Sequence, residues 1–315
     1  MAKSWKSKVA FQMRGISDED GDEDAAYFVA PTMFSGHARK RRPRADEWLA
    51  VVKERGQSVR SFERLSFRAQ PHGPYTTIYL QPLHKDDAPD DDGDGDGALI
   101  PEELIEWVSV FFGPSLEVEV GIPTTLDDVN SCVDLELRGD ETSGVQACSG
   151  KVREWVEKSR RESRARARKE LVSVVVTDVD LYPPSGNAFV FGDADMMNGS
   201  SAFSLARTGG GSGGGVSRRS LKVLTHEICH LMGLLHCTLF ECLMNGSNHG
   251  EELDGKPLFL CPICLRKLTS PTSLNVSPSA RYRAMLHVLE GFGPEFDEDV
   301  QWLERRLLGT PRPSC

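Results

Sequence analysis

Residues Thr225 to Cys237 read THEICHLMGLLHC and hold three of the chain's eight histidines within eleven positions. Around them, Leu221, Leu224, Ile228, Leu231, Met232 and Leu235 recur at helical spacing and predict an amphipathic helix. At 100° per residue, His226 and His230 fall one turn apart on the side opposite that stripe. Two neutral imidazoles so placed are a grip for zinc. On an unbroken helix His236 would lie about 15 Å along the axis from His226, out of reach of the same ion. Gly233 removes the difficulty, because glycine readily takes the conformation that ends a helix and turns the chain back. Three histidines leave zinc one open position for water and lower that water's pKa toward neutrality. Glu227 is then the carboxylate that takes the proton as water attacks a carbonyl and returns it to the leaving amine. A lone histidine is more often a packing or surface residue. With 8 His and 29 Gly in 315 residues, however, H-E-x-x-H-x-x-G-x-x-H arises by chance at roughly 10⁻⁷ per position. His226, His230 and His236 are therefore read as ligands.

A second donor set follows at once. Cys237 and Cys242 are separated by four residues, and after a loop of eighteen residues Cys261 and Cys264 form a C-P-I-C pair. Two cysteine pairs joined by a loop are the ligand pattern of a closed four-thiolate zinc site. The competing reading is two disulfides. The opening MAKSWKSKVAFQMRG carries charge without the apolar core of a signal peptide. The expectation is therefore an intracellular chain, cytoplasmic or nuclear, whose thiols stay reduced and bind metal. Cys132, Cys148 and Cys315 lack ligand spacing, and Cys229 reads as a packing residue. Two zinc ions per chain are expected, one catalytic and one structural.

Met244 lies eight residues after His236 and by itself would be an ordinary core methionine. Together, His226, Glu227, His230, Gly233, His236, Cys237, Cys242, Met244, Cys261 and Cys264 fill a pattern of HExxHxxGxxH, Cx4CxM and CxxC. In this the chain resembles the archaemetzincin family, a branch of the metzincin metalloproteases, and the likeness runs over residues 74–290. The resemblance implies an α+β, α/β-like fold of metzincin type. Its parts would be a twisted mixed five-stranded sheet with flanking helices, an active-site helix and a smaller C-terminal subdomain around the four-cysteine zinc. It implies that Met244 forms the Met-turn flooring the catalytic site. It also implies a peptide or protein substrate lying antiparallel to an edge strand, for which Ala202, Phe203, Ser204, Leu205 and Ala206 are the candidates. The implied activity is that of a zinc peptidase, aminopeptidase-like. The alternative is a weakly active or inactive zinc-stabilised protein that binds peptides or proteins; retention of Glu227 argues against it.

The elements that must position these residues are visible as patterns. By the same resemblance TTIYLQPL (Thr76–Leu83) is the first core strand, while PEELIEWVSVFF reads as a helix starting near Pro101, and Lys151 to Lys169 as an exposed helix feeding the strand Leu171 to Val176. The expected organisation is an N-terminal extension (1–73), a catalytic subdomain (74–236) with an acidic loop (86–97) and a glycine-rich loop (209–215), a C-terminal subdomain (237–294), and a terminal helix and tail (295–315).

The net charge of −10 is concentrated in two runs, Asp18–Asp24 and Asp86–Glu103, and without their fifteen carboxylates the chain would carry +5. Such runs are ordinarily solvated loops, so they do not point to a basic partner. Asp92, Asp94, Asp96, Gly97 and Glu103 fit the spacing of an EF-hand calcium loop. The proline-broken, aspartate-rich stretch before them cannot supply the entering helix, so calcium is disfavoured. His37–Arg44 contains a basic cluster, HARKRRPR, that could serve in nuclear import but more often is a solvated segment. A nucleic-acid role for the cysteine module is disfavoured because LCPICLRKL offers only Arg266 and Lys267. No stretch of eighteen apolar residues occurs, so no membrane span is expected.

Overall fold

The computed structural model describes residues 38, 40–66, 68–85, 99–140, 144–186, 188–209 and 216–308. The acidic run at 18–24, the acidic loop at 86–97, the glycine-rich stretch at 210–215 and the tail from 309 lie outside the described residues. The chain divides into two compact units, residues 67–232 and residues 1–66 with 233–315.

Two short helices come first, α1 (Trp48–Val51) and α2 (Val59–Glu63). Then follow β1 (Thr77–His84), α3 (Glu102–Phe112), β2 (Glu117–Val120), β3 (Thr124–Thr125) and α4 (Leu126–Cys132). The chain continues through β4 (Leu137–Asp140), β5 (Gly144–Cys148), α5 (Ser149–Glu162), β6 (Glu170–Thr177), β7 (Asp180–Tyr182), β8 (Gly192–Asp195) and β9 (Ser200–Ser204). Helix α6 (Arg218–Leu231) closes the first unit, and α7 (Gly250–Gly255), α8 (Pro262–Thr269), α9 (Pro278–Gly291) and α10 (Asp297–Leu308) belong to the other.

The unit of residues 67–232 is built on a mixed sheet ordered β2-β1-β6-β9-β8, with two-residue β3 also pairing to β1. All pairings are parallel except β8 with β9, which is antiparallel. This is the α+β architecture expected from the sequence, and the five-strand path is present. A second sheet, β4-β5-β7, accompanies it. The central strands are buried on both faces, as parallel strands covered by helices must be: β6 reads ELVSVVVT, with seven of its eight residues buried.

Alternation along the strands sends side chains to two different helical layers. Leu83, Val175 and Ala202 point into a core with Val129 of α4 and Val152, Trp155 and Val156 of α5. On that side Ser149 Oγ donates to Asp193 at 2.6 Å, while Arg153 pairs with Asp193 at 3.1 Å and Asp195 at 3.2 Å. The residue before Asp193 in the strand, Gly192, points to the opposite layer, where Glu227 of α6 lies against it. Strand β8 is thus held by α5 on one face and meets α6 on the other.

In the unit of residues 1–66 with 233–315, the chain at 38–40 lies along residues 239–241. Lys40 N donates to the Leu239 carbonyl and Glu241 N to that of Ala38, both at 2.9 Å. Phe259 stacks on Trp302 of α10 with ring centroids 4.3 Å apart, and Tyr282 of α9 meets the same indole edge-on. The basic cluster at 37–44 is partly engaged here: Lys40 reaches Glu241 and Asn245, and Arg41 pairs with buried Glu47.

Candidate metal centre

Helix α6 starts where Ser217 and Ser220 cap each other's backbone N–H groups, a reciprocal capping box. Its residues from Ser220 to Cys229 are buried, so the helix is fixed by packing rather than by exposed propensity. Trp107 of α3 donates its indole N–H to Thr225 Oγ1 at 2.8 Å, one residue before His226. His226 and His230, one turn apart, have Nε2 atoms 3.0 Å from each other and rings at 88°. A tetrahedral zinc with Zn–N near 2.05 Å sets its nitrogens about 3.3 Å apart, so this pair is close to the edge of such a site.

Glu227 is 6% exposed. A Cβ built on Gly192 would fall 2.6 Å from its Cγ and 2.7 Å from its Cδ and Oε1. No side chain fits between the strand and the carboxylate, so the absence of one at position 192 fixes where Glu227 rests. The expectation that Ala202, Phe203, Ser204, Leu205 and Ala206 form the substrate edge is corrected here. Strand β9, which holds the first three, has β6 on one side and β8 on the other, so its ladder groups are already paired. Leu205 N donates to Thr177 O, and Ala206 lies beyond the strand. The terminal strand of the path is β8, Gly192–Asp195.

The helix ends as its glycine requires. Met232 is the C-cap, and Gly233 has φ of 97°, a region where a side chain would be strained. Leu235, placed by helical spacing on the apolar stripe, is 45% exposed because the helix has stopped before it. Gln57 holds the turn from both sides: its Nε2 donates to Gly233 O at 2.9 Å and its Oε1 accepts from Leu235 N at 3.3 Å. Three residues past the glycine is His236, ten positions after His226 in the chain. His236 Nδ1 is 2.8 Å from Glu54 Oε1, and its ring meets the Trp48 indole edge-on at 5.1 Å. Burial pushes the Glu54 carboxyl up, but the hydrogen bond and charge interaction with His236, with a contribution from Trp48, hold it below the usual carboxylate range.

Cys237, Cys242, Cys261 and Cys264 are all buried, and their sulfurs lie within 4.8 Å of one another. Cys237 and Cys261 Sγ are 3.7 Å apart, far beyond a disulfide bond of about 2.05 Å. That distance matches the edge, about 3.8 Å, of a tetrahedron with Zn–S of 2.3 Å. Cys261 is the N-cap residue of α8 and Cys264 sits in its first turn. Cys261 N–H donates to Cys242 Sγ at 3.2 Å. Bonds from the neighbouring cysteine thiols, Cys242 first, pull Cys237 well down, whereas desolvation pushes Cys242 and Cys261 well up. Four thiols in one dry pocket cannot all ionise by themselves, and a divalent cation is what lets them do so. Both donor sets fit zinc.

Asn245 is occupied in this cysteine loop. Its Nδ2 donates to the carbonyls of Cys237 and Phe240, and its Oδ1 accepts from Cys242 N. His249 caps α7 through Nδ1. Met244 is fully buried, and its carbonyl accepts from Cys237 N at 2.7 Å. Sequence reasoning missed Gly192, Gln57, Trp48 and Glu54, none of which carries a spacing signal. Among the described residues no helix is long and apolar enough to cross a membrane.

Comparison with known proteins converges on the same segment. The family model described as Peptidase family M54 matches residues 214–270, which hold all three histidines and all four cysteines. Archaemetzincin-2 of Rattus norvegicus is 31% identical over 309 residues, spanning 85% of this chain and 76% of its own length. Archaemetzincin-2 of Mus musculus is 30% identical over 276 residues, spanning 76% of this chain and 71% of its own. A crystal structure of archaemetzincin from Methanopyrus kandleri aligns at 23% identity and a TM-score of 0.41, covering 63% of this chain and 98% of that one. Likeness across most of both chains, with the family match on the donor-bearing segment, means that this chain belongs to the archaemetzincins, peptidase family M54, and is a zinc metallopeptidase.

Proposed function

We propose that the chain hydrolyses peptide bonds using two zinc ions: a catalytic one on His226, His230 and His236, and a structural one on Cys237, Cys242, Cys261 and Cys264. Zinc on three neutral imidazoles supplies a Lewis acid that lowers the pKa of water and polarises a carbonyl. Glu227 is the proton carrier: its carboxylate accepts a proton from the attacking water and donates it to the departing amine. Its place between the two helical histidines and its burial favour this role, since a carboxylate largely out of solvent exchanges protons with its immediate neighbour. Met244 supplies the Met-turn after the third histidine. Substrate is an extended peptide or protein segment that pairs with β8, the terminal strand, so that its backbone passes beside Gly192 and hence beside Glu227. Backbone pairing along a strand is largely indifferent to side chains. End selectivity, including aminopeptidase-like action, then depends on what meets the peptide's terminus.

The observation that carries this reading is the pair of histidine nitrogens 3.0 Å apart on the helix that also holds Glu227 against Gly192. Digestion of a diverse peptide library by the zinc-loaded chain, beside Glu227→Gln, tests it. The expected result is cleavage that falls by at least about 10²-fold in the variant while zinc content stays unchanged. Equal cleavage by both, or none by the wild type, contradicts it and favours a zinc-stabilised binding protein.

A further inference from the structure

Residues 38–66 have no place in the metal motif, yet they surround its third histidine. Gln57, 4% exposed, bridges the Gly233 turn through both ends of its amide. Trp48 meets the His236 ring on one side. A Cβ on Gly246 would fall 2.5 Å from the same indole, so the chain at 246 lies directly on it. Trp48 is itself anchored, its backbone N–H donating to both Glu252 oxygens at 3.2 and 2.9 Å. Within this frame Glu54 Oε1 reaches His236 Nδ1 at 2.8 Å. Two buried atoms beside it have no hydrogen-bond partner, Glu54 Oε2 and Trp48 Nε1.

We propose that Glu54 is a positioning residue for the histidine metal site: it holds the Nδ1–H tautomer of His236 and aims Nε2 at the metal. The inference rests on the reading that the three histidines bind zinc. A ring nitrogen that donates to a carboxylate cannot also bind a cation, so the bond at Nδ1 assigns Nε2 as the ligand. His236 needs such help more than its two partners. His226 and His230 are fixed by a buried helix, whereas His236 stands three residues beyond a glycine turn, where the backbone alone sets the ring less firmly. The segment 38–66 is therefore part of the metal centre.

The test uses the full zinc-loaded chain and follows Zn2+ transfer to a chelating indicator for the wild type, Glu54→Ala, Glu54→Gln and His230→Ala. In the wild type one ion is expected to leave readily and one to be retained by the cysteines. Glu54→Ala should weaken the readily lost ion by about 10- to 100-fold, with the retained ion unchanged. Glu54→Gln, which keeps an acceptor of the same shape, should fall between. With Co2+ saturating the histidines, the visible absorption band should shift in the alanine variant, a change that loss of stability alone would not produce. If His230→Ala still holds both ions, the histidine reading and this proposal fall together. If His230→Ala loses one ion while both Glu54 variants bind it like the wild type, the role of Glu54 alone is overturned. Should Glu54→Ala fail to fold, Glu54→Gln decides between the same two results.

Discussion

Gly192→Ala adds one methyl group at the point where the sheet meets the proton carrier. The new Cβ would lie 2.6 Å from Glu227 Cγ and 2.7 Å from Cδ and Oε1. Carbon atoms settle at about 3.5–4.0 Å, so the carboxylate must retreat by about 1 Å. Glu227 yields rather than the strand, because β8 is pinned by its ladder to β9 and by Arg153 on its other face. A misplacement of about 1 Å in a reacting group costs about 10²-fold in rate, equivalent to about 2.7 kcal/mol of lost transition-state stabilisation. The alanine methyl points toward α6 and leaves the backbone of β8 able to pair, so the loss should fall on kcat while KM stays close to wild type. The assay is steady-state hydrolysis of a peptide selected from the library digest, with zinc content measured on the same samples. A variant with wild-type kcat would refute the claim that Glu227 must rest where Gly192 lets it.

Other perturbations separate the remaining parts. Cys242→Ser should remove one zinc equivalent and leave a chain that unfolds at lower temperature or does not accumulate, because the other three buried thiols lose their cation; a variant with undiminished zinc content would argue against the four-cysteine site. Trp107→Phe removes the donor to Thr225 beneath His226 and should cost about 1–3 kcal/mol in urea unfolding with metal content unchanged; a difference near zero would mean that this bond does not brace the helix. The hydrogen bond from Arg41 holds the Glu47 carboxyl below its usual range. Its stabilising contribution is thus complete above the unfolded pKa near 4.3 and is lost as pH falls through the lower folded value. Glu47→Gln should accordingly give a shallower acid limb in a plot of urea midpoint against pH, and superimposable slopes would count against the pairing.

How much of this was legible in the sequence depends on the kind of signal each part leaves. The histidine and cysteine sets could be read because ligand chemistry demands fixed residue types at fixed spacings, and the turn before His236 because Gly233 suits its positive φ. Strand β6 was readable as an apolar, β-branched run, and β1 by its likeness to the family's first core strand. The exposed edge was not. Gly192-Asp193-Ala194-Asp195 has weak strand propensity and alternates between a face that must be empty and a face that pairs with Arg153. The neighbouring SSAFS is buried throughout, and the placing of the edge at Ala202–Ala206 came from the family resemblance rather than from any local pattern. Glu54 left no trace either. It sits in a run of charged residues, VVKERGQ, 182 positions before its partner, and nothing in local spacing marks a long-range hydrogen bond. Leu235 shows the reverse error, since an apolar period extended past a glycine predicts burial where the helix no longer runs.

The central claim is that the ion held by the histidines performs the chemistry and the ion held by the cysteines holds the fold. The most direct test is stepwise chelation of the zinc-loaded chain, with peptide hydrolysis, zinc content and circular dichroism followed together. The account predicts that removing the first zinc equivalent abolishes hydrolysis without changing the spectrum, and that adding one equivalent back restores it. Hydrolysis that survives loss of the first equivalent, or that disappears only as the fold is lost, would contradict it.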